Sequence, residues 1–341
     1  MKKNLDFVAI GDVTTDAFIK LKNAKVIESE GKDKPMLCFI FADKIPYEFV
    51  EVVPGVGNSA NAAVAATRLG LNAAFVSNIG DDRNGEDVLK ALKDNGVSTE
   101  FVKIHESKAT NYHYVLWYKA DRTILVKHTE FDYSLPDIGS PKWIYLSSLA
   151  ENSLPFHQQI TAYLSARGGK ERPEIKLAFQ PGTFQMSLGY EKLKDIYELS
   201  ELFFCNVQEA QRILKDAGRD TSKAEIKDLL NMIRNLGPKI VVITDGPDGA
   251  YAYDKDEYWY MPAYPDPKPP IDRTGAGDSF SSTFTAAIAL GKSVPEALAM
   301  GPINSMSVVQ EIGAQKGLLT LPEIEEYLRQ APEYYKPRRI N

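Results

Sequence analysis

Cysteine is almost absent: of 341 residues only Cys38 and Cys205 carry a thiol. Two cysteines cannot build a disulfide framework, and reduced buried thiols are the simplest reading. Histidine is nearly as sparse. His105, His113, His128 and His157 lack the spacing to cysteines or carboxylates that a zinc site needs. No apolar stretch approaches the ~18–20 residues of a membrane span, so a membrane partner is not expected. A basic excess is missing too. Lys plus Arg is 40 against 46 for Asp plus Glu, a formal net charge of −6. Proteins that bind phosphate backbones usually carry a basic stripe, so nucleic acid is not an expected partner. The densest basic cluster, Lys336, Arg338 and Arg339, reads as a solvated tail. Lys2 and Lys3 precede a short apolar run, but Asp6 and Asp12 interrupt it and no small-residue cleavage site follows. The expected location is therefore cytoplasmic.

What is present is a core-forming chain. Hydrophobic residues make up 44%, which excludes wholesale disorder. The length allows two domains or one large α/β domain. Strands are expected at 7–10, 73–77, 143–146, 176–179, 202–205 and 239–244. Helices are expected at 60–69, 85–93, 156–166, 207–215, 224–236, 279–290, 295–310 and 322–328. Alternating strands and helices imply a parallel sheet covered on both faces. Two regions break the alternation, at about 17–53 and 108–130. The first holds strand-like runs at 36–41 and 47–53, the second a hairpin around Ala120-Asp121-Arg122. Together they predict one small antiparallel sheet, placed as a lid over a site at the strand ends. The proline-dense stretch 262–270 reads as an extended connector.

The segment Asp272-Arg-Thr-Gly-Ala-Gly-Asp278 carries the strongest chemical signal. Gly275, Ala276 and Gly277 let the backbone turn tightly and expose consecutive N–H groups at a helix start. Unpaired amides and the helix dipole both favour an anion there. Asp278, in the first turn, brings a carboxylate to the same place, which suits a base taking a proton from an attacking hydroxyl. A plain capping aspartate is the alternative.

Further motifs accompany this one in order: Gly57-Asn-Ser-Ala-Asn61, Arg68-Leu69-Gly70, Gly80-Asp81-Asp82 with Gly85, Asn206-Val-Gln-Glu209, and Thr244-Asp-Gly246-Pro-Asp-Gly249. With them the chain, from Gly11 to Ala314, resembles the ribokinase-like sugar kinases, the PfkB family. The resemblance implies one α/β domain over 1–341, a three-layer α/β/α sandwich with a central mostly parallel sheet and a small β-sheet lid. It implies a carbohydrate kinase moving the γ-phosphate of ATP, with Mg2+, to a hydroxyl of a small sugar. Asp278 would be the general base and Gly275, Ala276 and Gly277 the anion hole. Gly57, Asn58 and Asn61 would bind substrate hydroxyls, although Val56-Gly57 stands where relatives often have Gly-Gly. Asp16 would accept hydrogen bonds from a diol, with Asp12 the competing choice. Asn206 and Glu209 would organise magnesium and the phosphates through water. Thr244, Gly246 and Gly249 would approach the nucleotide, and Asn304 would lie near the adenine. Some relatives hold a monovalent cation, K+, beside the anion hole. Here Asp272 would supply a carboxylate oxygen, with backbone around Gly313-Ala314.

Two alternatives stay open. A nucleoside acceptor would suit Tyr47, Phe49, Tyr112, Tyr114 and Trp117, which could stack on a base. A non-catalytic ligand-binding protein could share the fold. Kinases of phosphorylated sugars would want basic lid residues; Lys20, Lys22, Lys44, Arg122 and Lys127 are available, and solvated strand faces also account for them. A dinucleotide oxidoreductase would need G-x-G-x-x-G after the first strand, where the chain has Gly11-Asp-Val-Thr-Thr. A lid sheet with an exposed face or edge would be covered in a homodimer.

Overall fold

The run Phe7–Ile10 shows how the main sheet is made. All four side chains are fully buried, but they alternate: Phe7 and Ala9 enter one core, Val8 and Ile10 the other. A strand that is apolar on both faces fits only the middle of a sheet covered on both sides. The computed structural model, which describes residues 5–28, 35–119, 121–166 and 174–340, has that architecture. Residues 29–34 of the first lid stretch, Ala120 of the expected hairpin, and Lys2 and Lys3 lie outside the described residues.

The main sheet has 10 strands. From Ser98–His105 it runs through Ala73–Gly80, Phe7–Ile10, Trp143–Leu146, Lys176–Phe179 and Ser200–Asn206 to Ile240–Thr244, and every one of these pairings is parallel. One face is covered by Asn58–Arg68, Arg83–Asp94, Ala276–Ala289, Val294–Val308 and Leu321–Arg329. The other is covered by Leu154–Ser165, Tyr190–Leu199, Val207–Asp216 and Ile226–Arg234. This is the three-layer sandwich. Helix Asn58–Arg68 is built almost wholly of small residues, and Ser59 through Ala66 are all buried. Small side chains let it lie close against Ala276–Ala289, which brings the early and late motifs together. Among the described residues no helix is long and apolar enough to cross a membrane.

The lid sheet runs Tyr47–Val56, Thr14–Leu21, Tyr112–Tyr118, Asp121–Leu125. The antiparallel expectation needs correcting in its middle, where Thr14–Leu21 and Tyr112–Tyr118 are parallel. Both strands leave the main sheet in the same direction, tied at their bases by Thr15 N–H donating to the Asn111 carbonyl at 3.1 Å. Asn111 also donates to the Val13 carbonyl and accepts from Thr129 N–H, at 3.1 and 2.8 Å. Asp82 caps helix Arg83–Asp94 through Gly85 N–H and holds Thr110 by its N–H and hydroxyl. The Gly-Asp-Asp motif thereby anchors the lid's second root.

Further elements escaped the sequence reading, among them the main-sheet strand Ser98–His105. Helix Thr183–Leu188 and its successor Tyr190–Leu199 follow the strand at Lys176–Phe179. Strands Ala250–Asp254 and Glu257–Met261 form an antiparallel hairpin whose turn, Lys255 and Asp256, adopts positive φ of 48° and 66° without glycine. Sequence cues for such turns rest on Gly and Asn, so this one was silent. The basic tail is not merely solvated. Arg338 and Arg339 add an edge strand, and their guanidinium groups lie over Tyr260 and Trp259.

Candidate active site

The C-terminal ends of the parallel strands lead into Asp12, Ser147, Gln180, Asn206 and Thr244. Open α/β sheets bind ligands at this edge. Asp278 begins the first turn of Ala276–Ala289 above it. Its carboxylate is held by three side-chain amides. Asn58 Nδ2 donates to Oδ1 at 3.0 Å, Asn61 Nδ2 to Oδ2 at 2.9 Å, and Gln180 Nε2 to Oδ1 at 3.2 Å. A second layer aims these amides. Gln315 donates to Asn61 Oδ1 at 3.0 Å, which turns the Asn61 NH2 toward Asp278. Tyr145 and Ser281 hydroxyls donate to Gln180 Oε1, which does the same for Gln180. Burial pushes the Asp278 carboxyl above its ordinary range, and the three amides oppose that rise. The net result is an oriented carboxylate of increased basicity.

Gly275 precedes the helix at φ 78°, packed on Ala314. A side chain there would strain the backbone and strike Ala314. No side chain caps this helix, and the Ala276 N–H makes only a long 3.5 Å bond to the Arg273 carbonyl, so the helix start can face an anion. Ala276 and Gly277 line a cavity of about 520 Å³, together with Thr244, Gly246 and Gly249. The proline-dense connector supplies another wall through Ala263, Tyr264 and Pro265, a role its sequence did not announce.

Asn206 and Glu209 form a reciprocal capping box. Asn206 Oδ1 accepts from Glu209 N–H at 2.8 Å, and Glu209 Oε2 accepts from Asn206 N–H at 2.9 Å. Burial raises the Glu209 carboxyl, and the Asp278 charge raises it further. Two neighbouring carboxylates whose charges repel, one with an oxygen outside the cap, fit a hard dication held through water. Asn304 lies in the helix Val294–Val308, which lines the cavity. Asn304 itself is fully buried, donates to Thr283 Oγ1 at 2.7 Å and accepts from Leu319 N–H at 2.9 Å. Its amide pins helices together, while its neighbours Ser305 and Met306 line the cavity.

Asp272 is also engaged otherwise than expected. Its Oδ1 accepts from Thr274 N–H, Thr274 Oγ1 and Arg122 Nη1, at 2.9, 2.6 and 2.8 Å. Its Oδ2 accepts from Gly313 N–H at 3.0 Å. A guanidinium from the lid strand Asp121–Leu125 thus already matches the charge that a monovalent cation would have met.

On the other side of the Gly57–Asn58 turn stands Asp12. Gly57 has φ 122°, and a Cβ there would sit 2.7 Å from the Asp12 carbonyl oxygen. The Tyr133 hydroxyl donates to both Asp12 oxygens, at 2.8 and 3.0 Å. Burial nevertheless raises the Asp12 carboxyl to about 7. His128 Nδ1 lies 3.8 Å from Asp12 Oδ2. Its ring meets Phe184 edge-on at 5.2 Å, and Phe184 belongs to the helix that follows Gln180. Contacts therefore close a ring from Asp278 through Asn58, Gly57, Asp12, His128 and Phe184 back to Gln180. Asp16, buried on the lid strand Thr14–Leu21, faces this ring beside His113. Gln180, Tyr133 and a site role for the two histidines were missed in the sequence, and Arg122, noted there as an available basic lid residue, pairs with Asp272 instead. The position of Gln180, directly after a predicted strand, was the one available cue.

The aromatic lid residues divide between faces. Paired strands put Asp16, Phe18, His113 and Val115 on the inner face, and Tyr112 and Tyr114 on the outer one. Neither tyrosine is placed to stack on a base inside.

Comparison with known proteins agrees with this architecture. Over 285 residues the chain is 27% identical to "Ribokinase" of Bacillus subtilis (strain 168), covering 82% of this chain and 88% of that protein. The structure of Arabidopsis thaliana ribokinase complexed with ribose and ATP superposes with a TM-score of 0.76 at 19% identity, covering 95% of this chain and 99% of that one. The Methanocaldococcus jannaschii nucleoside kinase superposes at 0.72 with 20% identity, covering 96% and 99%. These two likenesses show the ribokinase fold. The family model described as pfkB family carbohydrate kinase matches residues 48–321. The chain belongs to that family of phosphotransferases.

Proposed function

We propose that the protein transfers the γ-phosphate of ATP to a hydroxyl of a small free sugar. The observation that carries this reading is the Asp278 carboxylate, fixed by three amides at the open start of a helix. Asp278 takes the proton of the attacking hydroxyl. Backbone N–H groups of Gly275, Ala276 and Gly277 stabilise charge on the transferring group, about 2.7–4 kcal/mol for a well-placed donor. Thr244, Gly246 and Gly249 give the nucleotide a backbone-lined wall. Glu209, with Asn206 fixing its helix start, would hold magnesium through water, and the ion would neutralise phosphate charge there. Asp16 and Asp12 accept hydrogen bonds from acceptor hydroxyls, and Gly57 admits the acceptor close to the backbone. Asn58 and Asn61 act on the base, so their contact with substrate runs beside it. The nucleoside alternative loses Tyr112 and Tyr114, which face outward.

Arg122 ties the lid to the anion-hole loop through Asp272, which keeps the site closed while phosphate is in flight. The outer lid face exposes Val50, Val52, Tyr114 and Leu125. We infer that a second copy covers it in a homodimer.

Four outcomes follow. Asp278→Asn removes the base but keeps a similar shape. Phosphate transfer, assayed with MgATP across sugars, sugar acids, sugar phosphates and nucleosides, should fall about 10²–10⁴-fold while ATP binding by calorimetry is retained. Near-normal turnover would sink the assignment. Arg122→Ala should raise acceptor-independent ATP hydrolysis relative to transfer about tenfold, since an untied lid admits water; an unchanged ratio argues against the tie. For Asp12, a carboxyl raised from 3.8 to about 7 holds its proton better folded than unfolded, so rising pH across that window lowers stability. Asp12→Asn should therefore melt like the parent below about pH 4 and be more stable above pH 7, by at most about 4 kcal/mol. A gain that appears only in acid would contradict this. Sedimentation should give a dimer for the parent chain and a monomer for Leu125→Asp; a monomeric parent refutes the pairing.

A further inference from the structure

Three buried polar atoms near the ring described above have no hydrogen-bond partner: Asp16 Oδ1, His113 Nε2 and His128 Nδ1. They sit together. His113 Nδ1 is 3.4 Å from Asp16 Oδ1, the two imidazole rings are 5.2 Å apart, and His128 Nδ1 is 3.8 Å from Asp12 Oδ2. Asp16 is only 8% exposed. Buried polar groups are nearly always paired, so a cluster of unpaired ones marks a place where a ligand supplies the partners.

The chemistry of the cluster says which partners. Wherever they are ionised, Asp12 and Asp16 only accept hydrogen bonds and call for a ligand that donates. A neutral imidazole donates from one nitrogen and accepts at the other, the same dual capacity as a hydroxyl. Burial, with His113 adding to it, drives the His128 imidazolium down to about 4, so His128 is neutral at physiological pH. Any positive charge on His113 faces the Asp16 carboxylate. A carboxylate or phosphate on the acceptor would bring no proton to either aspartate and would place further negative charge beside them.

Among the described residues, none of Lys20, Lys22, Lys44, Arg122 and Lys127 pairs with Asp12 or Asp16. Lys20 lies over the Trp117 ring at 3.7 Å and donates to the Lys119 carbonyl. Arg122 is paired with Asp272. Lys22, Lys44 and Lys127 are exposed.

Resting on the kinase reading above, we propose that His113 and His128 are specificity-determining residues that read the hydroxyls of an uncharged sugar and exclude acceptors carrying a carboxylate or phosphate. The pair acts beside Asp12 and Asp16, and separately from Asp278, which handles the transferred proton. Its contribution therefore belongs to acceptor recognition and leaves nucleotide binding untouched.

The test sets ribose, fructose and glucose each against the matching sugar acid and sugar monophosphate. Two readouts are taken: kcat/KM with MgATP, and calorimetric binding of the acceptor alone. The parent chain should favour its best neutral sugar over both anionic partners by roughly a hundredfold or more. His113→Ala and His128→Ala should raise the acceptor KM about tenfold, with the KM for ATP within about twofold. His128→Asn, which keeps a donor and an acceptor, should recover part of that loss, and His113→Arg should narrow the gap to the anionic partners. Retained ATP affinity shows that each variant is folded. Selective binding of a neutral sugar without turnover supports the histidine pair and removes the kinase reading. An anionic partner used as well as its neutral sugar overturns the proposal. So does a neutral-to-anion ratio unchanged in both alanine variants, or an absence of sugar binding in both readouts.

Discussion

The clasp on Asp278 is the constraint on which the other parts of the site depend. Its three amides come from far-apart stretches: Asn58 and Asn61 from the start of one helix, Gln180 from the end of a central strand. For all three to reach one carboxylate, helix Asn58–Arg68 must lie against helix Ala276–Ala289, and both must lie over the C-terminal edge of the sheet. The small residues of Asn58–Arg68 meet the first condition. The parallel strands meet the second, because each ends at the same edge. The Asp278 carboxylate is oriented by packing rather than by a single neighbour, and Gln315, Tyr145 and Ser281 set which way the amides point. The preorganisation that electrostatic catalysis needs is thus built into the contact between two helices.

The lid depends on the same edge. Both lid strands grow from strand ends of the main sheet, and their roots are pinned by Asn111 and by Asp82. At the far side Arg122 returns to Asp272, in the same loop that leads to the anion hole. That pair is largely buried, so removing either partner would strand a charge in a poorly hydrated place. Lid position and loop geometry are therefore energetically coupled. In a phosphotransferase this coupling matters because water competes with the acceptor for the same phosphate.

Much of this was legible in the sequence, for identifiable reasons. The β-branched run ending at Thr244 and the apolar run Phe7–Ile10 could only be buried strands, and the small-residue helix after Gly57 had no rival reading. Gly275 and Gly57 announced tight turns because no other residue tolerates their backbone and close neighbours. Other parts were silent for equally physical reasons. The Lys255–Asp256 turn takes positive φ without a glycine. The parallel middle of the lid sheet depends on where two strands leave the main body, which no local pattern encodes. His113 and His128 looked unremarkable because their partners lie far off in sequence or belong to a ligand. Asn304 has a structural side that the sequence did not show, its amide bonding Thr283 and Leu319 inside the helix layer.

The Asn206–Glu209 pair shows that structural and functional readings need not compete. Its capping box is complete, and a cap alone would explain both residues. Yet the cap engages only Oε2 of Glu209. With one oxygen tied to the backbone, the position of the other is fixed by the helix start rather than by a free side chain. Burial first, and the nearby Asp278 charge after it, push the Glu209 carboxyl upward, so that oxygen is costly to leave unmatched. A dication placed through water would lower the energy of both carboxylates together. The cap therefore supplies the rigidity, and the electrostatic tension between the two carboxylates is what a bound dication would relieve.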